Sequence, residues 1–378
     1  MTLSLLSSKL QSKLNSLLDF FKNSYPNVRL YLVGGAVRDM VMGREIHDLD
    51  IECFNIEPEQ FDKAMQTLGA KGVGKSFFVY KYGDIDLALP RIERKIGIGH
   101  RAFKVELAHD TKEASRRRDF TMNALMFDLT TGDIIDHWGG LNDIHNRVIR
   151  VVDPKKFQED SLRVLRAMQF AARLKFRIDP VSRELMRKIS LDDLTNERIF
   201  WEFEKMFNAE WLYYGLFFMN DLLISKKILG IELGIRELIK ISRHMRKARI
   251  LGDSSMRPYY FLYILSCDLH KNTKYLCKAI HTPNIYVKIL KAQKKVPNKI
   301  TDRFLGAISL HIPICKWLGI YADNVVNRAK KLDIYENRFD PGVKPADLIK
   351  EGYRGKELGT ELRRRTLATV RDKFEVKN

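Results

Sequence analysis

Cysteine is scarce in this chain: four residues in 378, Cys53, Cys267, Cys277 and Cys315, with no CxxC pair among them. That excludes a disulfide-stapled scaffold and a four-cysteine zinc module. Scattered thiols with no secretion signal fit a reducing, cytoplasmic setting. Cys267 and His270 stand close together, yet two potential ligands do not close a metal site. Long apolar runs are missing too, and none approaches the ~18 residues of a membrane span, so no membrane partner is expected. Internal repeats and low-complexity tracts are absent, which excludes repeat arrays. Acidic residues are sparse in one place. Lys240 to Lys299 holds 14 basic residues against only Asp253 and Asp268.

What is present belongs to a globular protein of at least two domains, 45% hydrophobic and 30% charged. The charge is uneven. Residues 1–150 carry 21 Lys and Arg against 20 Asp and Glu, and residues 151–378 carry 45 against 27. A nearly neutral half joined to a strongly basic one points to a chemical module linked to a polyanion-binding module. A basic surface that serves only solubility is the alternative. Leu3, Leu6, Leu10, Leu14 and Leu17 recur every three or four residues, which predicts an amphipathic N-terminal helix rather than a transit peptide.

Strand-like alternation marks VRLYLVGG, DLDIECF, SFFVYKY, DIDLALP, ALMFDL and DIIDHWG, with a helical stretch near Pro58–Leu68. From Pro154 onward, segments such as KFQEDSLRVLRAMQFAARLKF and NERIFWEFEKMF take helical spacing instead. The expected class is α+β: a small mixed sheet with helices, then an all-α remainder.

In HDLDIE, Asp48 and Asp50 alternate with Leu49 and Ile51, so a strand directs both carboxylates to one face. Parallel carboxylates repel unless a cation neutralises them, and hard oxygen ligands of this kind suit Mg2+, which also binds phosphates. Ahead of them stands VGGAVRD. Gly34 and Gly35 let backbone N–H groups approach a triphosphate, and Arg38 is placed for a phosphate contact. Asp86, in GDIDLALP, is the candidate third carboxylate, with a solvated strand face as the alternative.

Five ordered motifs, LVGGAVRD (32–39), DLD (48–50), RRRDFTMNAL (116–125), EDSLRVLRA (159–167) and ERIFWEFEKMF (197–207), resemble the class II tRNA nucleotidyltransferase and bacterial poly(A) polymerase family. The resemblance implies a nucleotidyltransferase palm of five strands in a head (1–153), a neck (154–210) and a helical body and tail (211–378). It implies Mg2+-dependent addition of C and A from CTP and ATP to the 3′ end of tRNA. CC-only, A-only or poly(A) addition are the alternatives. Asp48 and Asp50 would hold the metals, and Gly35 and Arg38 would touch the nucleotide. Arg117 or Arg118 would grip the triphosphate or sugar, and Asp119 would order the site. The ERIFWEFE stretch would brace the nucleotide pocket.

Base-edge chemistry adds a reading of EDSLRVLR. Helical spacing predicts that Asp160, Arg163 and Arg166 share one face. Cytosine and adenine both present an amino donor beside a ring-nitrogen acceptor, so a carboxylate and a guanidinium together match them. Uracil and guanine reverse that order. A helical salt bridge is the competing reading. The family often has a further basic residue where this chain has Gln169, so a contact to phosphate or to the RNA end is either missing here or supplied by Arg173. RIERKIGIGHRAF (91–103) is a basic loop with Gly97 and Gly99. It loosely resembles the segment that switches the pocket between CTP and ATP, and also reads as an electrostatic lid. Lys288, Lys291 and Lys295, as one basic helical stripe, and the run Arg363, Arg364 and Arg365 are candidate RNA patches or solvated faces.

Overall fold

The computed structural model describes residues 5–74, 79–95 and 103–374. They form two compact units, Met1–Leu194 and Thr195–Asn378.

A mixed sheet organises the first unit. Its early strands are β1 (Arg29–Val33), β2 (Leu49–Phe54), β3 (Lys71–Gly74), β4 (Val79–Tyr82) and β5 (Ile85–Ala88). Then come β6 (Arg91–Lys95) and β7 (Phe103–Leu107), which pair only with each other, and β8 (Met126–Asp128) and β9 (Ile134–Ile135). Seven strands lie in the order β3-β4-β5-β2-β1-β8-β9. Among the described residues of this sheet, only the β2–β5 pair is parallel. The resemblance implies five strands, and the short edge strands β3 and β9 extend that number. Alternation in β1 buries Leu30 and Leu32, while β2 is buried at every position except Asp50. A strand buried on both faces belongs at the centre of a covered sheet.

The helices of this unit form for legible reasons. In α1 (Ser8–Ser24), Leu10, Leu14, Leu17 and Phe21 form the buried stripe, and the Ser7 side chain caps the first turn by accepting from Leu10 N–H. Of the leucines read as periodic, Leu3 lies outside the described residues and Leu6 precedes the helix. α2 (Gly35–Val41) starts in the glycine turn, and α3 (Pro58–Thr67) opens with proline at its first position. α4 (Thr111–Arg116) is capped by Asp110, and α5 (Gly140–His145) starts at a glycine whose Cβ would meet Thr121 O at 2.3 Å. After the short α6 (Pro154–Phe157) comes α7 (Leu162–Leu174), with Leu165 and Met168 fully buried.

α7 corrects one expectation. Asp160 lies before the helix, not on it, and its Oδ1 accepts from Leu162 N–H at 3.2 Å. A chain leaving α6 has to turn before it can re-enter helix, and an aspartate competes for free N–H groups at such a start.

The elements of the second unit are all helices, with no strand among its described residues. Its first helix, Asn196–Phe207, buries Phe200, Phe203 and Phe207 while Trp201 stays exposed. Phe207 stacks on Phe261 with centroids 5.1 Å apart, and Phe200 meets Tyr286 edge-on at 5.5 Å. No described helix is long and apolar enough to cross a membrane.

Candidate active site

The glycine turn closes onto the carboxylates. β1 runs directly into Gly34, and β2 lies alongside with Asp50 opposite Val33. Gly34 adopts φ +71° and ψ −132°, a conformation for which glycine alone is suited. A Cβ there would also stand 3.4 Å from an Arg118 guanidinium nitrogen and 3.7 Å from Asp50 Oδ2. On the far side of β2, parallel β5 sets Asp86 in register with Asp50. Residues in register share a sheet face, as do residues two apart on one strand. Asp50, Asp86 and Glu52 therefore project together, with Asp48 one residue ahead of β2.

Their mutual repulsion is visible in Asp50. Its carboxyl is pushed above the usual carboxylate range, mostly by burial, with Asp48, Asp86 and Glu52 adding to the rise and Arg118 opposing it. Asp50 retains accessible surface, so it is crowded protein around the carboxyl, and not occlusion, that desolvates it. Lys81 Nζ lies 3.4 Å from Asp86 Oδ1. Among the described residues no three His, Cys, Asp or Glu side chains are gathered into a metal cage. A pair of carboxylates without a cage fits a hard ion that completes its shell with water and phosphate oxygens.

Two arginines converge on a residue absent from the expected site. Arg117 Nη2 donates to Glu52 Oε1 at 3.0 Å, and Arg118 Nη2 donates to the same oxygen at 2.7 Å. The Glu52 side chain is 4% exposed. Period-two alternation in DLDIECF already puts Glu52 on the face of Asp50, and that signal could have found it. Arg116 turns elsewhere, to Asp153 at 2.6 Å.

Arg38 is buried rather than extended toward solvent. It makes two bonds to Asp39, at 3.0 and 2.8 Å, and donates to Asn123 Oδ1 at 2.7 Å. Asn123 in turn donates to Asp119, which also accepts from Phe120 N–H and from Arg166 Nε. Three guanidiniums surround the Phe170 ring: Arg38 at 5.1 Å, Arg166 at 5.3 Å and Arg173 at 5.8 Å from its centroid. Such cation–π contacts hold planar cations against a ring face. Arg173 also donates to buried Gln169 at 3.4 Å. Asn123 and Phe170 were not singled out from the sequence. Phe170 follows Arg166 by one helical turn, which is the signal that could have found it.

Arg163 donates to two backbone carbonyls, Lys156 O at 2.7 Å and Arg117 O at 2.8 Å. It thereby joins α7 to the arginine segment. The basic loop is only partly described: β6 and β7 flank it as an antiparallel pair, and residues 96–102, including Gly97, Gly99, His100 and Arg101, lie outside the described residues.

The second unit carries the other basic candidates. Lys288 and Lys291 are exposed on the helix Asn284–Ala292, while exposed Lys295 lies beyond its end, so the three make no single helical stripe. Arg364 and Arg365 both bind Glu361, and Arg365 also binds Glu351. Those partners neutralise much of the charge there, while Arg363 beside them is exposed.

Residues 30–150 match the poly A polymerase head domain. The chain is 40% identical over 193 residues to the multifunctional CCA protein of Xanthomonas campestris pv. campestris (strain B100), covering 48% of this chain and 46% of that protein. It is 42% identical over 190 residues to the multifunctional CCA protein of Stenotrophomonas maltophilia (strain R551-3), covering 47% and 45%. The matches thus span about half the length of these relatives. The fold of nearly the whole chain is similar to solved structures. A Bacillus stearothermophilus CCA-adding enzyme in complex with CTP aligns with TM-score 0.69 and 23% identity over 96% of this chain and 93% of its own. A Thermotoga maritima CCA-adding enzyme complexed with tRNA aligns with TM-score 0.70 and 20% identity over 99% and 94%.

Proposed function

We propose that this chain, which carries a poly A polymerase head domain and shares its fold with CCA-adding enzymes, adds C and A from CTP and ATP to the 3′ end of tRNA, releasing pyrophosphate. The observation that carries the reading is the closure of the Gly34 turn onto Asp50 and Arg118, with Asp86 in register alongside. Glycine backbone can approach a triphosphate, guanidiniums neutralise its charge, and the carboxylates stand where the ion that accompanies it is needed.

Mg2+ is the ion this donor set suits, with Asp48 and Asp50 as its holders and Asp86 beside them. Bound there, it supplies charge neutralisation and activation of a hydroxyl at neutral pH. The protein's own contribution is positioning. The terminal 3′-hydroxyl attacks the α-phosphorus in line while Arg117 and Arg118 face the phosphates, and no side-chain nucleophile is required. In this reading Asp160 supplies the acceptor that matches C and A, and Arg163 supplies the donor through N–H groups other than those that hold the carbonyls of Lys156 and Arg117. The basic residues of 211–378 hold the RNA, by shape and phosphate contacts, because duplex RNA hides its base edges in the deep groove. Residues 1–153 act as head and 154–210 as neck, and the protein works in the cytoplasm.

The deciding experiment supplies tRNA transcripts that end at the discriminator base, at C and at CC, and sequences the products. Completion of all three to CCA is expected. Arrest after CC, extension of only the CC-ended transcript, or long A tails assigns the partial or poly(A) activity instead. Failure to extend any transcript removes the reading altogether.

A further inference from the structure

We infer that Glu52 is the positioning residue of the phosphate site: one buried carboxylate oxygen holds Arg117 and Arg118 side by side and aims them at the triphosphate. The inference rests on the nucleotidyl-transfer reading above and deepens it.

The geometry is specific. Adjacent arginines on one chain repel and, left alone, splay apart into solvent. Here both donate through Nη2 to Glu52 Oε1, at 3.0 and 2.7 Å. The carboxylate comes from a central strand, two residues after Asp50, and so its position is fixed by the sheet ladder on both sides. Its pairing partner across β1 is Tyr31, and Ala88 flanks it on β5. Arg118's other terminal nitrogen then lies against the glycine turn. Arg117 is fixed from a second direction, since its carbonyl accepts from Arg163. A flexible arginine loses side-chain entropy on gripping a phosphate, and a clamp that has already ordered it removes that cost from nucleotide binding.

Charge and positioning predict opposite signs, which makes the inference testable. By charge alone, deleting a carboxylate beside two guanidiniums tightens the binding of a polyanion. Loss of positioning weakens it. Calorimetry with tripolyphosphate, in the absence of tRNA, reads this directly on wild type, Glu52→Ala and Glu52→Gln. Nucleotide and tRNA KM, kcat and melting temperature are measured alongside.

Weakened tripolyphosphate binding in Glu52→Ala is expected, with kcat/KM for CTP and ATP down roughly 10- to 100-fold and the KM for tRNA unchanged. Glu52→Gln keeps an acceptor oxygen at the same place and recovers part of the loss. Tighter tripolyphosphate binding in Glu52→Ala, or unchanged kcat/KM in a well-folded variant, overturns the inference. So does an equal rise in the KM for tRNA. If Glu52→Ala does not fold, Glu52→Gln and Glu52→Asp carry the same comparison, and full wild-type behaviour in Glu52→Asp, whose oxygens are withdrawn by one methylene, overturns it. A wild-type protein that binds tripolyphosphate through this clamp but transfers no nucleotide removes the proposed function and leaves Glu52 in place.

Discussion

Arg166 donates from Nε to Asp119 Oδ2 at 2.7 Å and ties the arginine-rich segment to a helix 47 residues later. The pair is a stability element as much as a site element. Burial alone would raise the Asp119 carboxyl, but Arg166, the Asn123 amide and Arg163 outweigh it and hold it below the usual range.

A lowered folded-state pKa means that Asp119 contributes stability above the unfolded carboxylate pKa. The contribution is lost as pH falls through the folded value. Asp119→Ala is therefore expected to cost about 3 kcal/mol at neutral pH, by leaving buried donors unpaired. Urea denaturation from pH 7 down to pH 3 checks it. The gap between wild type and variant narrows toward acid, and a constant gap removes the ionic account.

Asp50 carries the opposite sign. Its carboxyl is raised, so the fold favours the protonated form, and stability declines as pH rises from the unfolded toward the folded pKa. At neutral pH the ionised carboxylate is a cost that a bound cation relieves. With Asp50 as the proposed Mg2+ holder, Asp50→Asn should melt higher than wild type in EDTA, lack the Mg2+-dependent stabilisation expected of wild type, and abolish nucleotide incorporation while tRNA affinity stays nearly intact. Equal Mg2+ stabilisation of both proteins removes Asp50 as a metal holder.

Under the proposed function, Asp160 and Arg163 select the base. Removing one hydrogen bond at a desolvated base edge costs on the order of 1–3 kcal/mol, roughly 5- to 150-fold in discrimination. Asp160→Ala should relax C-over-U and A-over-G selection. Arg163→Ala should do so with an added loss of stability, because its guanidinium also bonds the carbonyls of Lys156 and Arg117. Incorporation of all four nucleotides, with melting temperatures, separates the outcomes. Unaltered ratios in folded variants transfer selection to the RNA end or to the loop at 91–103.

Exposed Lys288 and Lys291 should set part of the salt dependence of RNA binding, since each phosphate contact releases counterions. Neutralising both is expected to flatten the slope of log K against log salt by about 1–2 and to raise the KM for tRNA, with kcat unchanged at saturation. An unchanged slope shows the two lysines to be solvated only. Arg364 and Arg365, already paired with Glu361, should contribute less than their number suggests.

Much of this molecule was legible because local patterns carry it. Alternation marked β1, β2, β5 and β8, and the leucine spacing marked α1. The charge asymmetry separated a neutral half from a basic one. β6 and β7 were hidden because the basic, glycine-bearing stretch between them reads as a loop. The helical reading of Asp160 failed for a related reason: spacing of three is satisfied equally by a helix and by a turn that leads into one.

The sequence by itself determined which residues are candidates: glycines before a carboxylate pair, an arginine run, an Asp and two Arg at helical steps. Those follow from residue chemistry and short-range period, which need no knowledge of distant partners. Only the tertiary structure decided what each candidate binds. It turned Arg38 inward onto Asp39, Asn123 and Phe170, gave Arg163 two carbonyls to hold, and brought Glu52 under Arg117 and Arg118 from 65 and 66 residues away. The reason is physical. A buried guanidinium must find acceptors, and which acceptors lie within reach is set by strand register and helix docking, neither of which is written in local sequence.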